Sequence, residues 1–118
     1  MSPSAPGETP AFRYLSIAGG RLTALREIPF HARELELGCH RLLESAGPEL
    51  VIDLALLEYV ASPQIGALIA ASARAEETGR KLRILINARL VKFLERLQVD
   101  GLLSYEVVGP AADSAGNG

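Results

Sequence analysis

Ser62-Pro63, Asp53, Cys39 and the two histidines, His31 and His40, are the residues whose types and surroundings could do chemistry. A serine followed by proline suits a helix start: the hydroxyl caps first-turn amides and the proline ring fills the first helical position. On spacing alone that cap accounts for Ser62. Asp53 ends a short apolar run, a setting in which a carboxylate can accept a phosphoryl group. That reaction needs magnesium, and no acidic pair follows the first predicted strand to hold it. Asp53 therefore reads better as a strand-end hydrogen-bonding group.

Cys39 is the one cysteine, so no disulfide can form within the chain, and it falls in a helix-like stretch where a thiol acts as a small buried hydrophobe. His31 and His40 lack partners at zinc-ligand spacing, and no metal or other cofactor is expected. Gly19-Gly20-Arg21 is a turn and not a phosphate loop, because no Gly-Lys-Ser/Thr follows it. No Ser/His/Asp or Cys/His set is placed for nucleophilic catalysis, so the chain is read as a non-enzyme. Arg33, Glu34 and Glu36, and the group Glu76, Glu77, Arg80 and Lys81, read as solvated faces.

The elements that must position these residues follow from periodicity. Phe12, Tyr14, Leu15 and Ile17 predict a strand, Gly19-Gly20 a hairpin turn, and Leu22 to Ile28 the returning strand. From Phe30 to Ala46, Leu35, Cys39, Leu42, Leu43 and Ala46 recur at helical spacing, and Gly47-Pro48 stops the helix. Leu50 to Leu54 is a nearly continuous apolar run, as in a strand with neighbours on both sides. Ser62-Pro63 opens a second helix with Ile65, Leu68, Ile69, Ser72 and Ala75 or Ala73 near one face, and Gly79 supplies its left-handed exit. Leu82 to Ile86 is a strand, Leu90, Val91, Leu94 and Leu97 mark a third helix ending near Gly101, and Tyr105 to Val108 is the last strand.

The predicted order is β-β-α-β-α-β-α-β, an α/β domain whose later strands are parallel neighbours joined by helical crossovers, giving a mixed sheet with helices packed against it. It spans 12–108, between tails at 1–11 and 109–118 whose composition predicts flexibility. The chain has 118 residues, enough for one core. Its net charge of −2 and pI near 5.7 supply no global positive field for nucleic acid or an anionic bilayer. Met1 to Pro10 lacks the basic and apolar regions of a signal peptide, and no apolar run approaches spanning length. A cytoplasmic protein is expected.

Val51-Ile-Asp-Leu54, then Tyr59-Val-Ala-Ser-Pro-Gln-Ile-Gly-Ala-Leu68, then Thr78-Gly-Arg-Lys-Leu-Arg-Ile-Leu85, then Val91 to Gly101, follow one another in a set order. In that order and spacing the segment resembles the STAS superfamily, and within it the anti-sigma factor antagonists. The resemblance covers roughly half of the chain and implies a STAS-like mixed sheet. In that family the first serine after a signature aspartate is phosphorylated by a partner kinase that is also an anti-sigma factor, and the unphosphorylated form binds that kinase. The matching serine is Ser62. The implied docking surface is centred on Tyr59, Ala61, Ser62, Pro63, Gln64 and Gly66.

The signature differs here in that Ala61 stands for the aspartate, Pro63 for the second serine and Gln64 for the glycine. Upstream, Arg26-Glu27-Ile28-Pro29 is nearest to the family's Gly-Glu-Leu-Asp-like strand end and lacks its second acid. What the resemblance implies is thus a regulatory protein that binds an anti-sigma factor or serine kinase, switched by Ser62 phosphorylation. The missing acids favour an alternative, an unphosphorylated STAS scaffold subunit of a signalling assembly or lipid-transport ATPase. A response-regulator receiver phosphorylated on Asp53 ranks below both.

Overall fold

The hairpin forms first along the chain and sets the edge of the sheet. In the computed structural model, which describes residues 12–29 and 33–108, β1 (Leu15–Ala18) and β2 (Arg21–Ala24) are antiparallel. Gly19 and Gly20 join them with φ of 58° and 77°. Two successive positive φ values make the type I′ geometry whose twist matches that of the strands. Both strands are shorter than the apolar pattern predicts. The N–H groups of Arg13 and Tyr14 donate to the Glu34 carboxylate at 2.8 to 2.9 Å rather than to a strand, so Phe12 to Tyr14 lies outside β1. The last hairpin bond runs from the Leu25 N–H to the Tyr14 carbonyl. Beyond it the chain leaves the sheet before Pro29, although Ile28 stays in the core.

Helix α1 (Glu34–Leu43) lies against this hairpin, with Leu35, Cys39 and Leu42 buried. Gly38 is where the approach is closest, since a Cβ there would come within 2.9 Å of the Leu22 side chain. The helix stops three residues before Ala46, the predicted end. Arg80 explains the early stop: its guanidinium donates to the carbonyls of Ser45 at 2.6 Å and Leu43 at 2.7 Å, satisfying groups a helix end leaves unpaired. Arg80 and Glu34 thus belong to the framework and not to the solvated faces the sequence suggested. Phe30 and His31, read as the helix start, lie outside the described residues, as do 1–11 and 109–118.

The remaining elements are β3 (Glu49–Asp53), α2 (Ser62–Glu77), β4 (Lys81–Ile86), α3 (Ala88–Arg96), a 3-10 turn at Asp100–Leu102 and β5 (Glu106–Val107). Gly79 leaves α2 with φ of 72°, as the sequence predicts. Helix α3 ends before Gly101, because Gln98 takes the left-handed position at φ 59°, and Leu97 is exposed. The last strand is two residues long, with Tyr105 and Val108 flanking it.

Among the described residues the sheet has five strands in the order β1-β2-β3-β4-β5, with every pair from β2 to β5 parallel. Each of the three crossovers steps in the same direction, so right-handed connections place α1, α2 and α3 on one face. The core agrees, joining Leu22, Leu50, Ile52 and Ile84 of the strands to Leu35, Leu68, Leu90 and Leu94 of the helices. The intervening residues Arg21, Thr23, Glu49, Val51, Asp53, Arg83 and Glu106 point the other way. No described element covers that face. It carries cross-strand ion pairs, Arg21 with Asp53 at 2.6 Å and Arg83 with Glu106 at 2.7 Å and Glu49 at 3.9 Å.

Candidate functional site

Parallel strands bring their carboxyl ends to one rim, where the loops that follow them gather, and binding residues sit disproportionately on such loops. Here the rim is made by the loop after β2, the loop from Leu54 to Ala61 after β3, and Asn87 after β4. Helix α2 rises from it. Its N-cap is Ala61, in extended conformation at φ −82° and ψ 162°, and a methyl group cannot accept the amide bonds that serine would. Ser62 is instead the first helical residue, exposed and making no capping bond, which corrects the expectation from the Ser-Pro pattern. Gln64 does the work instead. Its side-chain carbonyl accepts the Ala61 N–H at 2.7 Å, and its amide donates to the Pro29 carbonyl at 3.3 Å. The helix start is thereby tied to the loop after β2.

The loop from Leu54 to Ala61 is held from below. Asn87 donates through Nδ2 to the carbonyls of Ala55 at 2.6 Å and Leu57 at 2.8 Å, while its Oδ1 accepts the Leu90 N–H at 2.8 Å and caps α3. Glu27 accepts the Glu58 N–H through Oε2 at 3.0 Å. Its Oε1 is buried without a donor among the described residues. Leu54, Leu57 and Val60 anchor the loop in the core. Leu56 and Tyr59 are left pointing out, 51% and 46% exposed, and the Tyr59 ring meets Phe93 of α3 with 6.4 Å between centroids. Arg89 of α3 pairs with Glu58 at 2.6 Å.

Of the residues singled out by sequence, Tyr59, Ser62, Pro63 and Gly66 are exposed on this rim and the first turns of α2, and Ala61 is half-buried. Ser62 and Gly66, four apart, share one helix face. Gln64 is only 1% exposed, and its amide is committed to internal bonds. It supports the surface from beneath and does not form part of it. Sequence reasoning missed Leu56, Asn87 and the loop-holding role of Glu27. An asparagine just before a helical pattern is itself an N-cap signal, and it would have found half of what Asn87 does.

The other candidates lie elsewhere. Both Asp53 oxygens are engaged, one by Arg21 at 2.6 Å and one by the Ala55 N–H at 3.0 Å, as befits a strand-end residue. Cys39 is on the buried face of α1, and burial, with Glu36 nearby, pushes the pKa of its thiol up to about 12. It lines a groove of about 230 Å³ between α1 and α2 with Leu43, Ala67 and Ala71. No group of three or more His, Cys, Asp or Glu residues able to hold a metal ion occurs among the described residues. Nor is any described helix long and apolar enough to cross a membrane. No family model matches the chain, and no curated protein matches it either. The functional reading rests on the residues themselves.

Proposed function

We propose that this chain is a STAS-type regulatory binding module, similar to anti-sigma factor antagonists, that docks a partner protein on the rim at the start of α2. The observation that carries the reading is Ser62: an exposed hydroxyl on the first turn of a helix whose supporting loop is fixed by Gln64, Asn87 and Glu27. A loop already fixed loses little freedom on binding, so more of the contact energy is kept. Exposed Leu56 and Tyr59, on the loop that leads into the helix, supply the apolar anchors a protein interface uses. The partner is an anti-sigma factor or serine kinase.

Phosphorylation of Ser62 would add about −1.5 to −2 charges at the positive end of the α2 dipole, where the helix tolerates it. The internal bonds of Gln64 lie beneath and need not change. The surface would then reject a partner fitted to a neutral hydroxyl. A second reading, a scaffold subunit that is never phosphorylated, draws support from Ala61, which leaves no carboxylate beside the hydroxyl. The strand order favours either over a receiver domain, whose 2-1-3-4-5 order has a switch point that β1-β2-β3-β4-β5 lacks.

Incubation with a kinase encoded beside the gene, then intact mass and phosphopeptide mapping, separates the readings. An acid-stable phosphate on Ser62 supports the switch, and none supports the scaffold. An acid-labile adduct on Asp53 after acetyl phosphate treatment would restore the receiver. In pull-downs, Ser62→Asp should lose the partner and Ser62→Ala retain it; equal recovery ends the charge switch.

A further inference from the structure

Helix α3 carries a charged surface that docking at Ser62 does not use. A helix turns about 100° per residue, so Arg89, Lys92 and Arg96 fall within about 60° of one another around the axis. All three are exposed. The buried Leu90 and Leu94 face the core on the other side. Phe93 stands between the cationic arc and that buried side, and its contact with Tyr59 joins the arc to the rim. Glu95 falls beyond Lys92, on the flank away from Phe93. Arg89 is already paired with Glu58, whereas Lys92 and Arg96 form no ion pair among the described residues.

Exposed Tyr59, in contact with Phe93, therefore borders a cationic arc on a chain whose net charge is −2. Nucleic acid would meet one local arc against an unfavourable overall charge. A bilayer takes a continuous apolar helix face, and Leu90 and Leu94, the leucines within α3, are committed to the core. A protein segment with carboxylates beside an apolar side chain matches both halves at once.

We infer that Arg89, Lys92 and Arg96 form the second half of the docking surface and take an acidic segment of the partner protein. The inference rests on the docking reading above and specifies the chemistry of the partner. Recognition is carried by Lys92 and Arg96, because Glu58 already satisfies much of Arg89. The contact is salt-sensitive, since exposed charges are screened over about 8 Å at physiological ionic strength.

The test uses the full chain, labelled with nitrogen-15, and a helical probe peptide with glutamates and leucines on one face. A lysine-for-glutamate version, phosphatidylserine vesicles and duplex DNA form the other arms. Saturable shifts at Tyr59, Lys92 and Arg96 with the acidic peptide are expected, weakened about tenfold by the double variant Lys92→Glu, Arg96→Glu. Unchanged dispersion of the remaining amides would show that this variant folds. Absence of shifts at these residues, equal binding by the variant, or stronger response to vesicles or DNA overturns the inference. The two levels separate. A double variant that still captures the Ser62-dependent partner at full affinity removes the arc and leaves docking at Ser62 intact. If Ser62→Asp and Ser62→Ala recover a partner equally, the switch falls, while the peptide titration still reads the arc by itself.

Discussion

The rim around α2 and the open face of the sheet are both polar, yet they are built from different bonds. On the rim, Gln64, Asn87 and Glu27 each reach across the fold to backbone groups, from partly or wholly buried positions. On the open face, Arg21, Arg83, Asp53, Glu49 and Glu106 pair side chain with side chain in reach of solvent. A buried bond to backbone is costly to lose, because its partner is left desolvated and unpaired. An exposed ion pair is worth between nothing and about 1 kcal/mol. The rim is thus the part of the molecule whose shape is strongly specified, which is what a docking surface requires.

Asn87 should show this contrast most sharply. Asn87→Ala removes a cap worth about 1 kcal/mol and strands two partly buried carbonyls, for a total loss of about 3 kcal/mol in urea unfolding. Asn87→Asp keeps the acceptor for the Leu90 N–H but loses both donated bonds and turns a carboxylate toward the Ala55 and Leu57 carbonyls. It should fall between wild type and Asn87→Ala in stability while raising amide exchange from Ala55 to Tyr59. If both variants are as stable as wild type, the rim is not held as described.

Gln64→Ala should rank next, at about 2 kcal/mol, since it leaves the Ala61 N–H and the Pro29 carbonyl without their partner and opens a small cavity. Ser62→Ala, two positions earlier and on the exposed side, should change stability by less than about 0.5 kcal/mol. The pair is informative together. A stability loss at Ser62 comparable to that at Gln64 would mean that the serine, not the glutamine, secures the helix start.

What was legible in the sequence is what local rules encode. The order of elements follows from apolar periods of two and about 3.6, and the turn at Gly19-Gly20 and the exit at Gly79 follow from residues that tolerate positive φ. The ends of elements were misjudged where a distant side chain intervenes: Glu34 takes the amides of Arg13 and Tyr14, and Arg80 takes the carbonyls of Leu43 and Ser45. Those partners are 20 to 37 positions apart, beyond any periodicity. The site divides in the same way. Ser62 opening a helix at the surface was legible, but that Gln64 lies beneath it was not, because an amide has the same sequence signature whether it meets solvent or a buried backbone.

The open face should yield the smallest effect, and its pH dependence gives the contrast a sign. Glu106 is held below the usual carboxylate range chiefly by the hydrogen bond from Arg83; desolvation opposes it as the next largest cause, and the positive charges of Arg83 and Lys81 add smaller lowering contributions. A carboxyl whose pKa is lowered by folding stabilises the native state fully above its unfolded value of about 4.3. That contribution disappears as pH falls through the lower, folded value. Glu106→Gln should therefore be slightly less stable than wild type at neutral pH, by less than either rim substitution, and the gap should close as the medium is acidified below the ordinary glutamate range. Urea unfolding of both proteins across that range reads the gap directly. A difference that stays constant with pH would mean that the charge of Glu106 contributes nothing, and that β5 is kept in place by its ladder to Leu85 and Ile86 and by the Val108 N–H bond to the Ile86 carbonyl.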